Sequence, residues 1–192
     1  MDIISEMEDY AQKYDIPIME KEGIAFMLEF IRSHHCRHIL EIGTAIGYSA
    51  IRMAMISEDV RVVSIERDER RYQMACDNIR KAGLTSQITL ILGDALETQV
   101  AGEFDFLFID AAKAQYTRFF ERYTPLLRQG GYVLSDNLGF HGMVEGHTMP
   151  KNRNTRNLVR KIRGYIEYLE QNESFETRFF EVGDRVAVSK KR

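Results

Sequence analysis

The sequence predicts an α/β fold: a seven-stranded, mostly parallel sheet with helices on both faces and an antiparallel hairpin at its C-terminal end. Three observations predict it. Short apolar runs alternate with helix-period segments from residue 38 to residue 170, the order expected when strands and crossover helices take turns. The runs are nearly continuous in apolar character, as in Phe104-Asp105-Phe106-Leu107-Phe108-Ile109, which suits strands covered on both faces. The chain closes on two β-rich runs joined by Gly183-Asp184, a hairpin signal.

Each element has its own reason. Residues 2–14 and 20–34 read as helices, punctuated by Pro17, with Met19, Ile24, Met27, Leu28 and Ile31 forming an apolar stripe near helical spacing. A strand at 38–42 leads into a helix at 48–56. A strand at 60–65 precedes a helix at 68–82, which Gly83 closes as a C-cap. A strand at 88–92 runs into a short helical segment near Ala95. The strand at 104–109 is followed by a helix at 116–127, and a strand at 132–135 follows Gly130-Gly131. A long helix at 155–170 precedes the hairpin strands at 175–182 and 185–189. At 192 residues the chain reads as one domain, with N-terminal helices over 1–35 and the sheet-bearing core over 36–192.

Composition narrows the function classes. Hydrophobic content of 44% beside 29% charged residues suits an ordinary globular protein, and no stretch approaches the roughly 20 apolar residues that span a bilayer. No membrane partner is therefore expected. Met1-Asp2-Ile3-Ile4-Ser5-Glu6 has neither a basic nor an apolar leader pattern, and Cys36 and Cys76 form no CxxC pair, so a reducing cytoplasm is expected. The net charge of −3 conceals an asymmetry. Residues 1–22 are acidic, whereas residues 146–166 carry Lys151, Arg153, Arg156, Arg160, Lys161 and Arg163 with no acid. Such a run either attracts phosphates or is a solvated helix face.

The loops at the carboxyl ends of parallel strands converge on one crevice, and three of them carry chemistry. Gly43 and Gly47 frame a tight turn after the first strand, but no GxGxxG is present and Glu41 would repel a pyrophosphate. A carboxylate there suits a cationic nucleoside cofactor instead. Glu66 ends the second strand, where an acid hydrogen-bonds ribose hydroxyls, and Gly93-Asp94-Ala95 ends the third. Asp110 and Asp136-Asn137 end the next two strands. Two carboxylates and an amide oxygen suit Mg²⁺, while zinc lacks its Cys/His cluster. Asp136-Asn137 alone could equally form an Asx turn. Lys113, three residues after Asp110, would lose proton affinity beside a cation and serve as a general base; its bland alternative is a surface lysine.

At these residues the chain resembles the metal-dependent O-methyltransferases related to catechol and caffeoyl-CoA O-methyltransferase. The motifs are Glu41-Ile42-Gly43-Thr44-Ala45-Ile46-Gly47-Tyr48-Ser49, Ser64-Ile65-Glu66, Gly93-Asp94-Ala95, Ile109-Asp110-Ala111-Ala112-Lys113 and Ser135-Asp136-Asn137. The resemblance implies the Rossmann-like fold of class I methyltransferases that use S-adenosylmethionine. It implies cofactor contacts at Ile18, Glu41, Gly43, Thr44, Gly47, Ser49, Glu66, Asp94, Ala95 and Asp110. It further implies Mg²⁺ on Asp110, Asp136 and Asn137, with Lys113 as catalytic base.

Within the family the chain is most similar to the bacterial group that methylates 5-hydroxyuridine at the tRNA wobble position, giving 5-methoxyuridine. Ile16-Pro17-Ile18-Met19 and the run from Lys151 to Ile162 carry that similarity. It implies the tRNA anticodon arm as partner, held by Lys151, Arg153, Arg156 and Arg160. The alternative substrate is a small catechol-type vicinal diol. A homodimer is expected, with the N-terminal segment common in the group expected to be short or absent.

Overall fold

The protein is described by a computed structural model over residues 2–146 and 152–192. Two N-terminal helices lead in. Helix α1 (Ile3–Tyr14) is capped by Asp2, whose side chain accepts from the backbone of Ile4 and Ser5, and α2 (Lys21–Ser33) follows. Then β1 (His38–Ile42), α3 (Tyr48–Ala54), β2 (Arg61–Glu66), α4 (Glu69–Lys81) and β3 (Ile88–Leu92) alternate. They are followed by β4 (Phe104–Ile109), α5 (Tyr116–Tyr123), β5 (Leu127–Ser135), α6 (Arg153–Gln171), β6 (Phe175–Phe180) and β7 (Val186–Lys191).

The seven strands form one sheet in the order β3-β2-β1-β4-β5-β7-β6, parallel through β5, with β7 antiparallel to both its neighbours. Strand order reverses between β1 and β4, the switch point at which such sheets bind ligands. All six residues of β4 are buried, and from Phe106 onward they divide by parity, Phe104 before the register irregularity lying on the side of Leu107 and Ile109. Phe106 and Phe108 pack with α1, α2 and α3, while Leu107 and Ile109 pack with α5 and α6. Burying each such side chain contributes roughly 1.5–3 kcal/mol. The polar exception in β4 is Asp105, which accepts from the backbone N–H of Arg37 (2.9 Å) and His38 (3.0 Å) and so ties the start of β1 to β4. No described helix is long and apolar enough to cross a membrane.

Three local expectations give way. Helix α5 stops at Tyr123 rather than 127, because Pro125 follows and the chain tightens into a 3₁₀ turn over Thr124–Leu126. Strand β5 starts at Leu127 rather than 132: Gly130 adopts φ +74°, a bend absorbed by a register shift opposite Phe104 and Phe106. The segment near Ala95 is a turn and not a helix, since the Asp94 side chain accepts from Leu96 N at 2.8 Å and closes it locally.

Candidate functional site

At the carboxyl edge of the sheet, each strand's last hydrogen bond hands the chain to a loop. Gly43 N donates to Ile65 O, Gly93 N to Glu66 O, Asp110 N to Ile42 O and Asp136 N to Ile109 O. These bonds hold the loops side by side around a cavity of about 390 Å³, the size of a small-ligand pocket. Of the residues singled out in the sequence, Ile18, Gly43, Thr44, Ser49, Glu66, Asp94, Ala95, Asp110 and Lys113 line it.

Glu41, Gly47, Asp136 and Asn137 do not line the cavity. Glu41 is fully buried, its two oxygens accepting from the hydroxyls of Ser49 and Ser64, and Thr44 Oγ1 extends the chain to Ser64 Oγ at 2.5 Å. It therefore acts on the cavity through Ser49. Burial pushes the Glu41 carboxyl up to about 7, against the lowering effect of those two hydroxyls. Gly47 is a glycine for packing: its φ is +89° and a Cβ would come within 3.3 Å of Ala75 Cβ on α4. Gly43 is tighter still. With φ +100°, its Cβ would lie 2.0 Å from the carbonyl oxygen of Asp110, so the loop after β1 and the loop after β4 touch through it.

Glu66 is almost wholly buried and organises the second loop. Its Oε2 accepts from Ala45 N (2.8 Å) and its Oε1 from Asp68 N (2.9 Å). Each oxygen has accepting capacity to spare and Glu66 lines the cavity, which suits a ribose diol. The Asp94–Thr98 turn is held from behind by Tyr123, whose hydroxyl donates to Ala95 O at 2.6 Å.

The other half of the crevice is built differently. Asn137 Nδ2 donates to Asp110 Oδ1 at 3.2 Å and to Asp136 Oδ2 at 2.9 Å, so the two carboxylates face a single point. Burial, followed by the charge of Asp110, pushes Asp136 up to about 7; burial likewise raises Asp110, and the ammonium of Lys113 offsets part of it. Two hard carboxylates that repel one another around a shared point fit a divalent cation, with the Asn137 amide turned to offer its oxygen. Among the described residues no cluster of three or more His, Cys, Asp or Glu side chains gathers, so the donor set stops at two acids and an amide. Lys113 starts a 3₁₀ turn (Lys113–Gln115) on the Asp110 loop and lines the cavity.

Helix α6 carries the basic run. Tyr165 OH meets Ser135 Oγ at 2.7 Å, level with the carboxyl end of β5. Arg153 lies twelve residues earlier, about 18 Å along the axis at 1.5 Å per residue, so the first turns stand proud of the sheet edge. Arg153, Arg156, Arg160 and Lys161 are exposed there. Arg163 is committed elsewhere: its Nε and Nη2 donate to Val144 O at 2.9 and 2.7 Å. Lys151 lies outside the described residues.

Sequence reasoning missed several cavity residues. Tyr48, Arg67, Arg71 and Phe119 all line it. Arg67 and Arg71 follow the acid that ends β2 by one and five residues, and that position was the available signal. Tyr48 opens α3 directly after the glycine turn, where its hydroxyl donates to Glu8 of α1 at 2.7 Å.

This architecture has known counterparts. The chain is 38% identical over 123 residues to a catechol O-methyltransferase of Niastella koreensis, covering 59% of this chain; it spans little over half that relative's length, 56%. A solved Staphylococcus aureus structure with a provisional caffeoyl-CoA O-methyltransferase name superposes at TM-score 0.95 with 37% identity, covering 100% of this chain and 93% of that one. An O-methyltransferase from Bacillus cereus, solved with S-adenosylhomocysteine, superposes at TM-score 0.84 with 26% identity, covering 100% and 92%. A sequence model described as O-methyltransferase matches residues 2–192, every loop of the crevice included, and the chain belongs to that O-methyltransferase family.

Proposed function

We propose that the protein methylates an acceptor hydroxyl using S-adenosylmethionine, assisted by a divalent cation such as Mg²⁺, and that the acceptor is 5-hydroxyuridine at the tRNA wobble position. The observation that carries the chemistry is the meeting of Asp110 and Asp136 at the Asn137 amide, Asp110 itself lining a nucleoside-sized cavity. The cofactor supplies an electrophilic methyl group, and its binding to the Bacillus cereus relative as the demethylated product supports its place here. Glu66 would hold the ribose, while Ser49, backed by Glu41, and the Gly43 loop would hold the methionine end. Asp110, Asp136 and Asn137 would hold the cation, which would supply Lewis acidity to the acceptor. Lys113 takes the proton from the acceptor hydroxyl, and the surrounding loops hold that oxygen in line with the methyl group.

The tRNA assignment rests on α6. Its first turn holds Arg153 and Arg156 and no acid, against the sign the helix dipole favours. Each such charge costs roughly 0.3–1 kcal/mol, a cost that a phosphate backbone beside it removes. The wobble base would flip into the crevice while its backbone tracks the helix. Uracil O4 and a 5-hydroxyl sit on adjacent carbons, as the two oxygens of a catechol do.

The second reading, a small vicinal diol, is favoured by the names of the relatives. One experiment separates them. Purified protein with labelled S-adenosylmethionine and Mg²⁺ is offered hydroxyuridine-containing tRNA or 3,4-dihydroxybenzoate. Label in the tRNA nucleoside supports the first; label in the benzoate alone hands the site to the second.

A further inference from the structure

We propose that the turn of the C-terminal hairpin, through Asp184, is the positioning device for the loop that carries Asn137. The inference rests on the cation reading above and extends it to a residue far away in sequence. Asn137, Phe140 and His141 have φ values of +62°, +47° and +55°, three non-glycine residues in the left-handed region within five positions. Backbone of that kind persists only when its surroundings hold it in place.

The backbone N–H groups of the loop show what holds it. Leu138 N donates to Arg185 O at 2.9 Å, Gly139 N to Asp184 O at 2.8 Å, and His141 N to the Asp184 side chain at 2.7 Å. Two consecutive turn residues thus accept from three of the four residues after Asn137. Arg185, itself at φ +65°, reaches further along the loop and pairs with Glu145 at 3.0 Å. The approach is close: a Cβ on Gly139 would lie 3.0 Å from Asp184 Oδ1 and 3.2 Å from its carbonyl oxygen. Pinned at Leu138, the Asn137 backbone aims its side chain back at Asp110 and Asp136. Without the turn, the amide loses the anchor that sets its direction. Asp184 touches no reacting atom in this scheme and acts through Asn137.

The test is a titration of Mn²⁺, followed by electron paramagnetic resonance with S-adenosylhomocysteine present, on the wild type, Asp184→Ala, Asp184→Asn and Gly139→Ala. Affinity for S-adenosylhomocysteine is measured alongside by calorimetry. Asp184→Ala should weaken Mn²⁺ binding by about 10–100-fold, the usual cost of losing a group that orients a ligand, with S-adenosylhomocysteine affinity unchanged. Asp184→Asn should bind Mn²⁺ nearly as the wild type does, because its amide oxygen still accepts from His141 N. Gly139→Ala presses a methyl group on the same contact from the loop side and should reproduce the alanine defect, which also covers a failure of Asp184→Ala to fold. Wild-type Mn²⁺ affinity in Asp184→Ala or Gly139→Ala overturns the proposal, as does an asparagine variant as weak as the alanine. A wild type that binds no Mn²⁺ overturns the cation reading, and this inference with it.

Discussion

The two halves of the crevice solve opposite problems. On the side of β1 and β2 the acids are already satisfied: both oxygens of Glu66 hold backbone N–H groups, and both oxygens of Glu41 hold hydroxyls. That half is finished before any ligand arrives, as preorganised binding requires. On the side of β4 and β5, Asp110 and Asp136 share one amide; burial raises the proton affinity of both, and the charge of Asp110 raises that of Asp136 further. On the proposed reading, a cation between them would complete that half. Ligand geometry is thus built into the first half, and charge demand into the second.

The sharpest way to break the comparison is to remove the charge demand. Asp136→Ala, or chelator on the wild type, should abolish methyl transfer while leaving S-adenosylhomocysteine affinity intact by calorimetry. If cofactor binding collapses together with activity, the two halves are one site and the distinction fails. Next in size, Lys113→Ala should lower kcat by about 10²–10⁴-fold, the range for a lost general base, read by single-turnover kinetics. Near-normal turnover across pH would return Lys113 to the surface.

The pH dependence follows from the raised carboxyl of Asp136, pushed to about 7 from an ordinary value of 3.8 by burial and then by Asp110. In the chelated protein the folded state then holds a proton that the unfolded chain releases. The stability this adds is present below about pH 4 and is lost as pH rises through 7. Thermal melts in chelator should therefore fall from mildly acid to mildly alkaline pH, and Mg²⁺ should flatten that fall. Melts that rise over the same window would contradict a shared, unpaired carboxylate site.

Smaller effects test the finished half. Glu66→Ala should weaken cofactor binding by roughly 1–3 kcal/mol, the scale of charged hydrogen bonds, and Glu66→Gln should recover part of it. Unchanged calorimetric affinity in the alanine variant would remove Glu66 from the ribose. Smallest of all, Arg153→Ala with Arg156→Ala should flatten the salt dependence of tRNA binding by about 0.7–0.9 per lost phosphate contact. A slope like that of the wild type, measured by filter binding, would leave α6 a solvated face.

The same division explains what could be read from the chain. Strands β1, β3 and β4 have their expected ends, because continuous apolar runs bounded by turn residues leave little choice. The acids at the strand ends were legible for the same reason: position after a strand dictates position on the rim. Gly43 and Gly47 were legible as a turn, but not in their purpose. Each makes room for another part of the protein, Asp110 in one case and Ala75 in the other, and no local pattern announces a tertiary neighbour. Asp184 was legible only as a hairpin turn residue. Its bond to His141 joins positions 43 apart and exists only once the sheet has closed. Arg163 misled as one more basic residue of the run, because its carbonyl partner at Val144 cannot be seen from composition.

The seam at Gly43 also matters to anyone redesigning the protein. Since the missing Cβ would stand 2.0 Å from the Asp110 carbonyl oxygen, the two loops there have no slack to exchange. A library that varies either loop would chiefly collect broken variants. Diversity aimed at new acceptors belongs instead past His141, in residues 142–146, where it spares the Asp184 and Arg185 contacts that hold Asn137 and stays out of the cofactor's half.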